Sequence, residues 1–477
     1  LLQPGATGYL DAENAQGLLY LSPGNLNAGF PFLTDGADPE NANIKAGPFY
    51  IKFHDLDGLV LYSDNYEHRQ QDRKSETLVL LSLDLSVIAQ ITENLQFVAA
   101  GWITYLPLNN QVGFLNNSYN YLDLYLLATP LFLTQVAYDT MIAGWPVTFS
   151  DRLEVNTARY VDSAVDNFEL FRGDFLTRDE SGGYILRSSG NGRNNTASAN
   201  DNNNNYDGLQ VYLSNLVSAS TDRLLPSDIH LHLEADHENF WFDNANGNLP
   251  PSTDEFYAEA RTERPDMRFN LFLNYSASYI EDYTGLTQQI HAGVYGPIDD
   301  QLNLSADVGY YFGDNGHSGG LYSIFLSHDA GPYTQEFLGI SRTLSAFNDF
   351  VVSSQYYNLR QILGPTLNAT VFLEHGSTDD LIDGGDSSQE QEQGGVELDW
   401  TLGPKTILYL YGIAERQDFG GGGGRTDTIT GRGILNRVIS DDLTLQLLYQ
   451  YQRATSSHAD ESYYENLVYL RVIYSFE

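Results

Sequence analysis

The chain has 477 residues and carries 63 acidic against 24 basic side chains, a formal net charge of −39 at pH 7. Such acidity excludes a nucleic-acid binder, because a phosphate backbone demands a cationic footprint. The absence of cysteine excludes a disulfide scaffold, a thiol nucleophile and a cysteine metal site, and no stretch reaches the ~18 uninterrupted apolar residues of a membrane helix.

Residues 1–46 are rich in Gly, Asn, Ala and Pro and show no strand period. They read as an N-terminal extension, periplasmic or tucked into a lumen, ahead of a barrel over 47–477. Leu1 in place of Met fits a removed leader and an arbitrary start of the chain equally.

From residue 49 onward, apolar and polar residues alternate with period 2, the signature of strands with one apolar face. In 77–91, Val79, Leu81, Leu83, Leu85 and Val87 oppose Ser82, Asp84 and Ser86. The most apolar stretch, 122–149, is interrupted by Asp123, Pro130, Asp139 and Pro146. In 301–312, Leu302, Leu304, Ala306, Val308, Tyr310 and Phe312 face away from Gln301, Asn303, Ser305, Asp307 and Gly309. Leu443, Leu445, Leu447, Tyr449 and Tyr451 repeat the scheme opposite Gln446 and Gln450. These runs last roughly 10 to 14 residues, enough to cross a bilayer at a tilt, whereas soluble strands average about 5 to 6. Candidate strands begin near 49, 77, 94, 122, 144, 207, 228, 255, 267, 285, 301, 320, 332, 350, 365, 394, 406, 428, 443 and 463. Those near 122 and 255 carry the weakest pattern.

Connections fall into two sets. Short polar turns recur at 91–95, 298–302, 403–405 and 439–443, built from Asp, Asn, Gly and Pro, which suit turn backbone angles. Long loops are expected at 161–206, 243–254, 375–393 and 417–427. The expectation is an all-β, transmembrane antiparallel barrel of 18 to 20 strands, with short periplasmic turns and long extracellular loops. Barrels of 16 strands and above enclose a water-filled channel unless plugged.

Several residue groups could carry chemistry in such a channel. On the strand after Asp228, Ile229, Leu231, Leu233 and Ala235 would face lipid, so His230, His232, Glu234 and Asp236 would line the lumen. The two histidines, about 6.6 to 6.8 Å apart on one face, could share a metal, although a row of polar wall residues is the plainer reading. Asn303, Asp307, Gln446, Gln450 and Arg471 are further lumen candidates. Arg172, Asp174, Arg178, Asp179 and Arg187 place mixed charge on one long loop and could form a constriction. Asp379, Asp380, Asp383 and Asp386, with two glycines, could wrap Ca2+, though their spacing is not that of an EF-hand loop. No other cofactor is expected, and no enzyme either: neither G-x-S-x-G nor H-E-x-x-H occurs.

The chain ends on YYENLVYLRVIYSF followed by Glu477, with Val468, Leu470, Val472, Tyr474 and Phe476 on one stripe. This segment resembles the C-terminal signal of bacterial outer-membrane proteins, in which the last residue is normally aromatic. Together the strands, turns and terminus resemble an outer-membrane β-barrel porin over about residues 48 to 477. Leu61–Asn65 (LYSDN) and Val147–Leu153 (VTFSDRL) are similar to passages in β-barrel porins linked with exopolysaccharide secretion. The resemblance brings no catalytic residues with it. It implies an outer-membrane location, contact with lipid and lipopolysaccharide, insertion by the barrel-assembly machinery through the last strand, and association into homo-oligomers. Passive diffusion of small hydrophilic solutes, with acidity favouring cations, is the expected function. A polysaccharide export conduit, or a structural barrel holding a periplasmic partner, is the alternative.

Overall fold

The computed structural model describes residues 42–65, 75–92, 94–106, 111–112, 132–159, 177–178, 184–185, 209–226, 228–242, 252–262, 268–280, 285–299, 301–314, 316–344, 350–380, 389–419, 424–440, 442–457 and 462–476. They form 24 strand elements, 22 of them in one sheet. That exceeds the 18 to 20 expected, and the surplus consists of four short pieces. Ile44–Ala46 and Gln111–Val112 are flaps on the main sheet, while Thr177–Arg178 and Tyr184–Ile185 pair only with each other.

The other strands form the wall. They are β1 (Phe49–Ser63), β2 (Glu76–Thr92), β3 (Leu95–Leu106), β4 (Phe132–Ile142), β5 (Trp145–Arg159), β6 (Leu209–Leu225) and β7 (Ile229–Phe242). Next come β8 (Ser252–Thr262), β9 (Asn270–Ile280), β10 (Gly285–Pro297), β11 (Leu302–Gly313), β12 (Ser318–Gly331), β13 (Thr334–Leu344) and β14 (Phe350–Gly364). The last are β15 (Leu367–Asp380), β16 (Gln389–Gly403), β17 (Thr406–Phe419), β18 (Gly424–Ser440), β19 (Leu443–Ser456) and β20 (Tyr463–Ser475). Each pairs antiparallel with the next, and β20 pairs back onto β1 from Asp55↔Ser475 to Ser63↔Leu467. The ring is closed. No wall strand is left as an edge, so the ladder satisfies backbone groups that hydrocarbon could not.

Which parity faces lipid is read from exposure. On β20, Val468, Leu470, Val472 and Tyr474 are exposed, whereas Glu465, Leu467 and Tyr469 are buried. On β19, Leu447 and Tyr449 project outward while Gln446, Leu448 and Gln450 are buried. Aromatic residues cluster at the two ends of this outer surface. Phe49, Trp145, Tyr333, Trp400 and Tyr474 sit near the short turns, and Tyr62, Trp241, Tyr279, Tyr310 and Phe312 near the loops. Phe476 adds to the lower group, its ring 5.9 Å from Phe53 and 5.2 Å from Tyr474, and Arg223 lies 4.6 Å over Trp145. An apolar band between two aromatic girdles is the surface of an outer-membrane-type barrel.

The short turns are shaped locally. Asp299 Oδ1 accepts from the amides of Gln301 and Leu302, each at 2.8 Å, an Asx arrangement that reverses the chain. Ala143 (φ 52°) with Gly144 (φ 82°) forms the β4–β5 turn. All these tight turns, with the start of β1 and the end of β20, lie at one end of the barrel.

Two expectations are corrected by the strand boundaries, and the start of the candidate strand near 122 lies outside the described residues, which resume with β4 at Phe132. The expected loops 375–393 and 417–427 are much shorter, because pairing continues through His375↔Glu392 and Arg416↔Asp427. The strand expected near 255 starts at Ser252, so the preceding loop is trimmed too. Residues 1–41 and the glycines 420–423 are not among the described residues, and Ile44–Ala46 folds back on β1 through Gly47 (φ 62°).

A charge on the outer face tests this assignment. Leu470→Arg is expected to cost roughly 2 to 4 kcal/mol in guanidinium unfolding from lipid vesicles. Ile473→Arg, on the inward parity, should cost much less. Equal costs would contradict the facing.

Candidate functional site: the inner wall

The inward parity concentrates polar and charged groups in a ring around the lumen. It carries Asp57, Asp139, Asp222, Glu234, Asp236, Glu238, Glu255, Glu259, Asp307, Glu374, Glu397, Asp399, Glu415 and Glu465 against Lys52, Arg152, Arg261, Arg360, Arg432 and Arg471. Carboxylates therefore dominate, and their field reaches any solute inside.

The densest group lies on β6, β7 and β8, close to the short-turn end. Register sets Asp222, His232 and Glu259 side by side, with Glu234 and Tyr257 in the next row. His232 Nδ1 is 2.8 Å from Asp222 Oδ1 and its Nε2 is 3.1 Å from Glu234 Oε2. His230 Nε2 lies 3.6 Å from the same Asp222 oxygen. Tyr257 donates to Glu259 at 2.5 Å, and Arg261 stands 3.6 Å from Glu259. His230, His232, Glu234 and Asp236 thus share the inward face as their alternation suggests. They form a carboxylate–histidine wall, and among the described residues no group of three or more His, Asp or Glu has metal-holding geometry.

A second inward group sits on β10, β11 and β12. His291 Nδ1 is 2.9 Å from Asp307 Oδ2, and Ser323 donates to the other Asp307 oxygen. All three are buried, with His291 3% and Ser323 2% exposed. The imidazole lies over Gly309, where an added Cβ would stand only 2.5 Å from Nδ1, so a residue with no side chain is required there. Ser and His each bond to Asp rather than to one another. A nucleophile needs its base within hydrogen-bond reach, so the trio is a structural clasp.

At the seam, Arg471 Nη2 is 2.7 Å from Asp57 Oδ2 across β20 and β1. Ser63 donates to Glu465 at 2.5 Å, Asn466 Nδ2 donates to Asp64 at 2.8 Å, and Asn65 Nδ2 donates to the Tyr464 carbonyl at 2.7 Å. Residues 63–65 of the LYSDN passage therefore stitch the barrel shut. In the VTFSDRL passage, Ser150 and Arg152 are buried inward, whereas Asp151 faces outward and accepts from Asn215 at 2.7 Å. Gln446 and Gln450 join the inward network through Asn436, Tyr469 and Arg432, while Asn303 is exposed at the turn-side mouth.

Other candidates fall elsewhere. Asp379 lies on β15, facing outward, 3.5 Å from Arg342 of β13. Asp380 is also on β15, and Asp383 and Asp386 are outside the described residues. Of the constriction set, Arg178 lies in a two-residue strand, and Arg172, Asp174, Asp179 and Arg187 are outside the described residues. An apolar sector of the interior has no counterpart in the alternation pattern. Leu59, Leu61, Leu80, Leu448 and Leu467 point inward on the seam side and are 3% exposed or less. These leucines sit on the parity that the polar residues of the same strands mark as lumen, and strand-by-strand averaging hides them.

No protein-family model matches the sequence, and no curated protein sequence matches it significantly. Among solved structures, a mutant of the ferric enterobactin receptor PfeA of Pseudomonas aeruginosa is 9% identical, covering 89% of this chain and 80% of that chain at a TM-score of 0.44. A BenF-like porin of Pseudomonas fluorescens Pf-5 is 11% identical, covering 90% and 99% respectively at 0.42. A loop-deletion mutant of OmpT, an outer membrane protein of Vibrio cholerae, is 10% identical over 90% and 100% at 0.34. Values this low assign neither family nor activity. The closed wall, its girdles and its polar interior identify an outer-membrane-type β-barrel on their own.

The buried clasp yields a test. Asp307→Ala removes the acceptor shared by His291 and Ser323, and should destabilise the barrel by about 1 to 3 kcal/mol per orphaned donor. Unfolding in detergent micelles measures it, and an unchanged midpoint would contradict the geometry.

Proposed function

We propose that this barrel is a passive outer-membrane channel for small hydrophilic solutes, with a preference for cations. The observation that carries the reading is the inner wall, where Glu234, Asp236, Glu238, Glu255 and Glu259 share two neighbouring strands with Arg261 the one arginine among them. A water-filled lumen lined by one sign of charge concentrates counter-ions and repels co-ions. Solutes would move down their gradients, and no bond need be made or broken, so the reading involves no catalytic step.

A structural barrel whose lumen is filled by a partner is the alternative reading. The two readings part on conductance, because a filled lumen passes little current.

Planar-bilayer recording under a salt gradient separates them. The channel reading predicts stable conductance with a cation-selective reversal potential. Glu234→Gln, Glu238→Gln and Glu259→Gln combined should shift that potential toward zero without closing the pore. Anion selectivity would contradict the acidic wall, and absent conductance would contradict the open channel.

A further inference from the structure

Among the described residues, five glycines on the lumen-facing parity each stand directly opposite an aromatic ring. Gly293 pairs with Phe272, Gly309 with His291, Gly319 with Tyr311, and Gly395 with Phe372. Gly339 pairs with Phe325 on one side and with Tyr356 on the other. In every pair the ring lies over the glycine, since a Cβ built there would stand no more than 2.9 Å from a ring atom. None of the five has a positive φ. Close approach, and not backbone angle, is therefore what calls for glycine at these positions.

Burial shows the same arrangement from the side of the rings. Phe272, His291, Tyr311, Phe325 and Phe372 are 8% exposed or less, although their parity points them at the lumen. Tyr356 packs beside Phe325 with ring centroids 5.9 Å apart. The beds have no substitutes on the same strand. Residues two positions away share the inward face, and they carry side chains: Phe337 and Ser341 beside Gly339, Gln393 and Glu397 beside Gly395. A ring displaced from its glycine has only the lumen left to enter.

The glycine–ring pairs run from β9 to β16, so they fold rings down along one continuous arc of the inner wall. A ring lying on the wall takes up its thickness from the lumen radius, whereas one standing upright takes up its length. Resting on the channel reading above, we propose that these glycines are size-determining residues. By bedding the rings they set the free width of the lumen along this arc, and width decides which solutes pass. Gly339 is the most sensitive of them. The three nearest atoms to its added Cβ all belong to the rings of Tyr356 and Phe325, so a methyl group there must push a ring off the wall.

Single-channel recording in planar bilayers, with polyethylene glycols of graded size added, tests this on the full chain. Gly339→Ala should lower the conductance and exclude polymers that enter the parent. Gly320→Ala, on the outward parity of β12 where a Cβ meets nothing within 4 Å, should behave as the parent does. Removing the displaced rings in F325A/G339A/Y356A should restore the parent's size cut-off, a rescue that mere loss of packing would not give. Heat-modifiable mobility reports that each variant is folded. Nitration of Tyr311, mapped on peptides, follows ring position without any need for current, and Gly319→Ala should accelerate it. A folded Gly339→Ala barrel with the parent's conductance and cut-off would overturn the size-determining role. Tyr311 nitration unchanged by Gly319→Ala would overturn the bedding of the rings. A silent parent would contradict the channel reading itself, and the size-determining role would fall with it.

Discussion

The ladder that joins β20 to β1 is the constraint on which the structure depends. A strand edge left open in hydrocarbon would expose unpaired amides and carbonyls, each costing several kcal/mol. Closing the ring removes that cost for every strand together, and it requires the first and last wall strands to meet antiparallel. Side chains reinforce the junction on both faces, Asp64 and Asn466 lying on the outward parity. Asp57 with Arg471, Ser63 with Glu465 and Asp64 with Asn466 join residues some four hundred positions apart. The entropy of bringing such distant segments together grows only slowly with chain length, so a handful of specific contacts can define the register once the strands meet.

Closure divides the side chains into two populations with opposite demands. Outside, Leu447, Leu470 and Val472 meet lipid, and aromatic residues mark the two edges of the apolar band. Inside, polar groups satisfy one another across strands, as in Asp222–His232–Glu234 and His291–Asp307–Ser323. The inner surface is uneven in character. Its β6–β8 sector is rich in carboxylates, while its seam sector packs leucines away from solvent.

Much of this was legible in the sequence because the period-2 pattern is local. Strand starts inferred near 77, 301, 350, 406, 443 and 463 fall within a residue of Glu76, Leu302, Phe350, Thr406, Leu443 and Tyr463. Loops were overestimated because Glu392, Arg416 and Asp427 are charged, and His375 is polar, yet all are paired in strands. The inner face of β7 was readable from its own alternation. Its partners Asp222, Tyr257 and Glu259 were not, since they depend on register between separate strands.

Cysteine scanning tests the central claim, a closed wall around water, most directly, since the chain contains no native cysteine. Single cysteines at Leu231, His232, Leu233 and Glu234 would be challenged with a membrane-impermeant thiol reagent in lipid vesicles. Rapid modification at His232 and Glu234, with protection at Leu231 and Leu233, is the predicted result. Equal modification at all four positions, or the opposite alternation, would contradict the barrel described above.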